Sequence, residues 1–305
     1  MVEDACIVSL LPAATEMVSA LGAMHRLVGV THACDFPPGV RTIPRVTSSA
    51  VCTNATALEV DCAVRTAANE GRALFILDHQ QIHALAPDVI ITQALCDVCA
   101  VSEADVRTVA ASLTPPPYIV SLGANTLDDV LQSLTTVGDA IGAHNEAARL
   151  SDSLRRRLRA VHDTLKSVGA PRPRVAVVEW ADPLYIAGHW VPDMVRRAGG
   201  MDAVATSGEH SRPRTVRQLR DAGPEILIFA PCGYDLARST AEARSTLERT
   251  EWAWARPLPC FAIDGNAYTS RPGPRVVDGV EIFARIFNPR LFSPLGPERA
   301  QSVQT

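Results

Sequence analysis

Short apolar runs alternate with amphipathic stretches along almost the whole chain. The runs read as strands at Ala5–Leu11, Leu27–Thr31, Ala73–Asp78, Asp88–Gln93 and Pro117–Leu122. Between them, apolar residues recur with helical spacing over Thr15–Leu21, Gln80–Leu85 and Glu103–Ser112. Gly22 follows the first helix as a terminating glycine. Strands that alternate with helices predict a parallel α/β sheet.

A second block repeats the pattern. Strands are predicted at Arg174–Trp180, Leu184–Ala187, Glu225–Ala230 and Cys260–Asp264, with helices at Val191–Ala198, Val216–Asp221, Ala237–Glu248 and Arg275–Ile286. The blocks share a phrase: Leu85-Ala-Pro-Asp-Val-Ile-Ile-Thr-Gln-Ala-Leu-Cys96 parallels Ala222-Gly-Pro-Glu-Ile-Leu-Ile-Phe-Ala-Pro-Cys232. Between them, Val130, Leu134, Val137, Ile141, Leu154, Leu158, Val161 and Leu165 keep a helical period, with Gly142 as a break point, until Pro171 and Pro173. The predicted organisation is an N-terminal lobe over 1–125, a linking helix over 126–170, a C-terminal lobe over 171–290 and a loose tail over 291–305. The fold class is α/β: two Rossmann-like lobes with parallel central sheets, a long backbone helix joining them, and a ligand cleft between the lobes. In such sheets, ligands sit beyond the carboxyl ends of the strands.

Composition narrows the function classes. A net charge of -4 gives no basic field for nucleic acid or an anionic membrane surface. No stretch approaches the roughly 20 apolar residues of a membrane span. The opening Met1-Val-Glu-Asp is acidic, and Cys6-Ile-Val-Ser-Leu-Leu11 is short and ends at Pro12, unlike an export signal. That pattern predicts a cytoplasmic location, or a periplasmic or secreted one only if an export segment precedes the chain. The eight cysteines are then expected to be mostly reduced.

Candidate chemistry sits at the strand ends. After the first strand, Pro12 and Thr15 mark a helix start that either caps itself or faces a ligand. After the second, Thr31-His32-Ala-Cys34-Asp35-Phe36 sets an imidazole, a thiol and a carboxylate on one loop. The alternative there is a turn in which Asp35 bonds its own backbone. After the fourth come Gln93, Cys96 and Cys99, a C-x-x-C that supplies half a zinc site or a redox pair. In the second block, Glu179-Trp180 and His189-Trp190 bring acid, indole and imidazole to strand ends, and Tyr268 adds a ring. Arg271 offers a planar fork for a carboxylate or phosphate, or stiffens a helix start. Gly-rich phosphate loops, G-x-S-x-G and H-E-x-x-H are absent from the sequence.

As a set, these residues make the chain resemble the class III periplasmic-binding-protein family of the cobalamin and iron-complex type, nearest its cobalamin ABC-importer branch. The resemblance rests on Ile7-Val-Ser-Leu-Leu-Pro-Ala-Ala-Thr-Glu16, Val28-Gly-Val-Thr-His-Ala-Cys-Asp-Phe-Pro-Pro38, Leu85-Ala-Pro-Asp-Val-Ile-Ile91, Ala187-Gly188 with Ala198-Gly-Gly200, and Ser270-Arg-Pro-Gly-Pro-Arg275. It implies a non-catalytic binding protein for a corrinoid or related metal chelate, with an ABC permease as partner once exported. It maps ligand contacts onto Asp35, Phe36, Gln93, Cys96, Trp180, Trp190, Cys232, Gly233, Tyr268 and Arg271. Two other readings stand beside it. His32, Cys34, Cys96, Cys99 and His189 could bind Zn, Fe or Co directly. A cytoplasmic enzyme on the same scaffold could use Cys96 or Cys232 as nucleophile, with His32 or His189 as base.

Overall fold

The computed structural model describes residues 5–50, 62, 63, 66, 74–93, 101–294 and 296–303. The chain divides into two compact units. The first contains residues 1–124 and 131–152, and the second 125–130 and 153–305.

In the first unit, strands β1 (Ile7–Ser9) and β2 (Leu27–Val30) pair in parallel. A separate antiparallel pair follows, β3 (Thr47–Ser49) with β4 (Phe75–Leu77). Strands β5 (Val89–Gln93) and β6 (Tyr118–Leu122) complete a fully parallel sheet of order β2-β1-β5-β6. Val8, Ile90 and Ile91 are fully buried, as expected of strands covered on both faces. Helices α1 (Pro12–Ala20), α2 (His79–Leu85) and α3 (Glu103–Ala111) lie between the strands in the chain. Asp78 and Ser102 cap α2 and α3 by accepting from the Gln81 and Asp105 amides. The strand predicted near Ala73–Asp78 thus lies outside the parallel sheet. Its partner β3 carries no apolar run, so the pairing was hidden in the sequence.

The stretch at 126–170 is two helices, not one: α4 (Leu127–Ile141) and α5 (His144–Ser167). Gly142 takes a left-handed φ of +73°, and the Ala143 amide closes back on the Gly138 carbonyl at 2.7 Å. Gly138 is required for a second reason. A Cβ there would stand 2.4 Å from the Ala147 Cβ, so the two helices meet at bare backbone.

The second unit is built on β7 (Arg174–Ala181), β8 (Leu184–Ile186), helix α6 (Val191–Arg197), β9 (Met201–Asp202), β10 (Arg212–Pro213), helix α7 (Val216–Asp221), β11 (Ile226–Phe229), helix α8 (Leu236–Glu248), β12 (Cys260–Ile263), helices α9 (Gly265–Tyr268) and α10 (Val276–Phe287), and β13 (Ala300–Ser302). The sheet order is β10-β8-β7-β11-β12-β13, with β9 also paired to β7. Strands β7, β11 and β12 run parallel in the centre, and β8 and β13 are antiparallel additions. Phe229, Trp252 and Leu247 anchor one face of its core, with Phe229 and Trp252 ring centroids 5.9 Å apart. The loose tail expected over 291–305 is corrected here. Ala300–Ser302 extends the sheet along β12, and Val303 is buried at 1% exposure in the same core. A three-residue edge strand is held by its long-range ladder, which local sequence does not display.

Asp202 on β9 supplies a stability prediction. Its Oδ1 accepts from the Val204 and Ala205 amides at 2.9 and 2.7 Å, while Oδ2 is buried without a partner among the described residues. Burial pushes its pKa up to about 6. The folded-state value lies above the unfolded one, so the stabilisation is complete below the ordinary carboxylate range and is lost as pH rises through about 6. Asp202→Asn keeps the accepting oxygen and removes the charge. It should stabilise the protein by about 1–2 kcal/mol at pH 7.5, and the gain should vanish near pH 4. Urea denaturation at both pH values checks this.

Candidate functional site

In each unit, parallel strands end along one edge of the sheet, and most sequence-predicted residues lie at or just after those ends.

In the first unit, β1 leads into α1 through Ser9-Leu-Leu-Pro12. Pro12 opens α1 at its first turn and keeps some exposure. Thr15 is fully buried and points inward. It donates to Ser9 Oγ at 2.8 Å and lies 3.1 Å from Cys34 Sγ, which is itself 2% exposed. The Ser9 hydroxyl donates to the Leu11 carbonyl at 3.0 Å. These contacts tie the β1–α1 turn to the loop after β2, so Thr15 and Cys34 serve the scaffold.

His32, at the end of β2, is fixed by Thr47: its amide bonds Thr47 Oγ1 at 3.0 Å and its Nδ1 lies 2.8 Å from the same oxygen. Its ring stacks on Phe75 at 5.3 Å. Burial, with the Arg45 charge adding to it, lowers its pKa and keeps the ring neutral over a wider range. Asp35 and Gln93 are partly exposed, and Phe36 is 40% exposed at the loop tip. Cys96 and Cys99 lie outside the described residues.

In the second unit, Glu179 and Trp180 close β7. Trp180 meets Tyr234 edge-on, with centroids 5.5 Å apart. The Arg238 guanidinium lies 3.7 Å from the centre of the Tyr234 ring and donates to Tyr234 Oη at 3.1 Å. This indole–phenol–guanidinium stack stands where β7 and β11 end. Sequence reasoning found Trp180 but missed Tyr234 and Arg238. The available signal was a Tyr and an Arg four apart astride the helix cap Asp235, which accepts from the Arg238 amide at 2.8 Å. Cys232 and Gly233 are exposed on the same turn, and Gly233 has a φ of +75°.

Trp190 and Arg271 depart from expectation. Trp190 is 7% exposed and donates from Nε1 to the Thr269 carbonyl at 2.8 Å, which pins the β8–α6 turn to the start of the last helical region. Arg271 is 6% exposed, an internal guanidinium instead of an open fork. Tyr268 keeps partial exposure, and burial raises its pKa. His189 has a φ of +53° and stands 4.8 Å from His210, ring edge to ring face. Burial, with His210 adding to it, lowers the His189 pKa.

Among the described residues, no three His, Cys, Asp or Glu side chains gather as a metal site. Cys34 is spent on Thr15, and His32 and His189 belong to different units. Also among the described residues, no helix is long and apolar enough to cross a membrane.

The periplasmic binding protein family model matches residues 7–253. A curated relative, the uncharacterized ABC transporter substrate-binding lipoprotein YvrC of Bacillus subtilis, is 21% identical over 293 residues, covering 94% of this chain and 81% of that protein. Among solved structures, a periplasmic heme binding protein from Pseudomonas aeruginosa superposes with a TM-score of 0.74 at 20% identity, covering 98% of both chains. The periplasmic vitamin B12 binding protein BtuF of Vibrio cholerae gives 0.64 at 18% identity, covering 92% of this chain and 96% of that one. At these identities the solved structures establish the fold alone. The comparisons overturn the expectation of a cytoplasmic location, because the matched family is periplasmic and the Bacillus relative is a lipoprotein. With the model matched over most of its length, this chain belongs to the periplasmic binding protein family.

Proposed function

We propose that the protein is the substrate-binding component of an ABC importer and that its ligand is a corrinoid or a related metal-bearing macrocycle. The observation that carries this reading is the Trp180–Tyr234–Arg238 stack at the carboxyl edge of the second unit's parallel sheet. The partly exposed Trp180 indole supplies apolar contact area at little conformational cost, braced edge-on by the buried Tyr234 ring, and the Arg238 guanidinium adds one polar anchor. Glu179, Cys232, Gly233 and Tyr268 lie at or after strand ends of the same sheet. Asp35, Phe36 and Gln93 occupy the corresponding edge of the first unit. The vitamin B12 and heme binders of the same fold support this ligand class. The substrate-binding relative supports an ABC permease as partner.

Titration with cobalamin, followed by visible absorbance and calorimetry, tests the proposal. Saturable one-to-one binding with a Kd below about 10 μM is the expected result. Saturation by hemin without any response to cobalamin would replace the corrinoid with a heme. Silence toward both macrocycles in both measurements overturns the reading.

A further inference from the structure

One segment of the second unit is held mainly by hydrogen bonds, with one ring contact, His210 on His189. Thr206-Ser-Gly-Glu-His-Ser211 contains no aliphatic or aromatic hydrocarbon side chain. Its flanks are fixed. Before it, the Ala205 amide donates to Asp202 Oδ1 at 2.7 Å. After it, Arg212 and Pro213 pair with Ile186 and Tyr185 of β8.

Between those anchors, the segment is clasped onto the Gly188–His189 turn. The His189 amide donates to the Glu209 carbonyl at 2.6 Å, and the Gly208 amide donates to the His189 carbonyl at 3.0 Å. The Gly188 amide donates to Ser211 Oγ at 3.0 Å. The same Ser211 hydroxyl bonds the carboxyl of Glu179, a residue that keeps partial exposure, and burial raises the pKa of that carboxyl. Ser207 adds a hydrogen bond to Asp193.

Gly188 permits this closeness. A Cβ there would lie 2.4 Å from the Glu209 carbonyl oxygen and 2.6 Å from the Ser211 nitrogen, both backbone atoms. Under the clasp, His189 holds its left-handed φ, and its buried Nδ1 has no hydrogen-bond partner among the described residues. The closed position therefore carries local strain and an unsatisfied polar atom, with the edge-to-face contact of His210 on His189 as the ring packing that offsets them.

We propose that Thr206–Ser211 is a strap that closes over Glu179 and lifts, between Ala205 and Arg212, to expose that carboxyl to the ligand. The ligand's approach to Glu179 rests on the function proposed above. The strap itself does not, and its test uses no ligand. Segments held by exposed hydrogen bonds open locally long before the core does.

Hydrogen exchange on the full chain should show amides 206–211, together with His189, exchanging at least about a hundredfold faster than those of β11. Gly188→Ala blocks closure and should raise that exchange by roughly another tenfold, while β7 and β11 remain unchanged. In the same variant, carbodiimide should modify Glu179 faster than in the wild type. Ser211→Ala removes the bonds to Gly188 and Glu179 without added bulk, and should act in the same direction if Gly188→Ala fails to fold. Exchange of 206–211 as slow as that of β11 overturns the strap. So does unchanged Glu179 labelling in a folded variant.

Discussion

Asp193→Ala should lower the unfolding free energy by about 2–4 kcal/mol at pH 7. Asp193 lies in the first turn of α6 and is 6% exposed. Its Oδ2 accepts from the Leu127 amide at 3.3 Å, and its Oδ1 accepts from Arg196 Nη2 at 2.7 Å. Ser207 supplies a further bond. Leu127 opens α4 and is 1% exposed, so truncation strands a buried amide at a helix start, where no intrahelical acceptor exists. Arg196 contributes less to the loss, because its side chain is 56% exposed and water takes over its charge. Burial alone would raise the Asp193 pKa, but the bonds from Arg196, Ser207 and Leu127 outweigh it and hold the value below the ordinary carboxylate range. The folded-state pKa is thus depressed. The contribution is complete above the unfolded value and is lost as pH falls through the folded one. The gap between wild type and variant should narrow as pH falls below the ordinary carboxylate range, and Asp193→Asn should fall between them at pH 7. Urea denaturation across that range measures all three. A constant gap down to pH 2 would show that the ionised carboxylate is not what stabilises α4.

The residues that show this architecture in the sequence differ in kind from those that hide it. Val175 through Val178, Ile226 through Phe229 and Val89 through Ile91 are continuous apolar runs, and each became a central strand. Thr47–Ser49, Arg212–Pro213 and Ala300–Ser302 carry no such run. They are strands because a partner far along the chain offers a free edge. The linking helix divides at Gly142 because a left-handed residue there turns the chain, while the helical period of the apolar residues continues on either side. The same contrast governs the site. Trp180 and Glu179 were legible because each ends a strand whose run is plain. Thr15, Cys34, Trp190 and Arg271 have chemistry suited to a ligand and were read that way. Their burial depends on neighbours in space, such as Thr269 over the Trp190 indole, that no local pattern announces. Tyr234 was passed over for the converse reason. Its importance comes from Trp180, which lies fifty-odd residues earlier and meets it only once β7 and β11 pair.

The sharpest test of that aromatic stack is Trp180→Ala, which should weaken binding of whichever macrocycle saturates the wild type by at least about 30-fold. The indole is partly exposed and outside the buried core, so its loss should change unfolding free energy by less than about 1 kcal/mol. Large loss of affinity with small loss of stability is the mark of a contact surface. Tyr234→Phe separates the ring from its hydroxyl. It keeps the edge contact with Trp180 and the guanidinium above the ring, and gives up only the 3.1 Å bond from Arg238, so affinity should change by less than about fivefold. Arg238→Ala removes the cation from the stack, and its cost should grow as salt is lowered if the guanidinium faces an acidic group on the ligand. Calorimetric titration of the three variants against the wild type decides the matter. Binding by Trp180→Ala within threefold of the wild type would place the ligand elsewhere and leave the stack as a brace between the ends of β7 and β11.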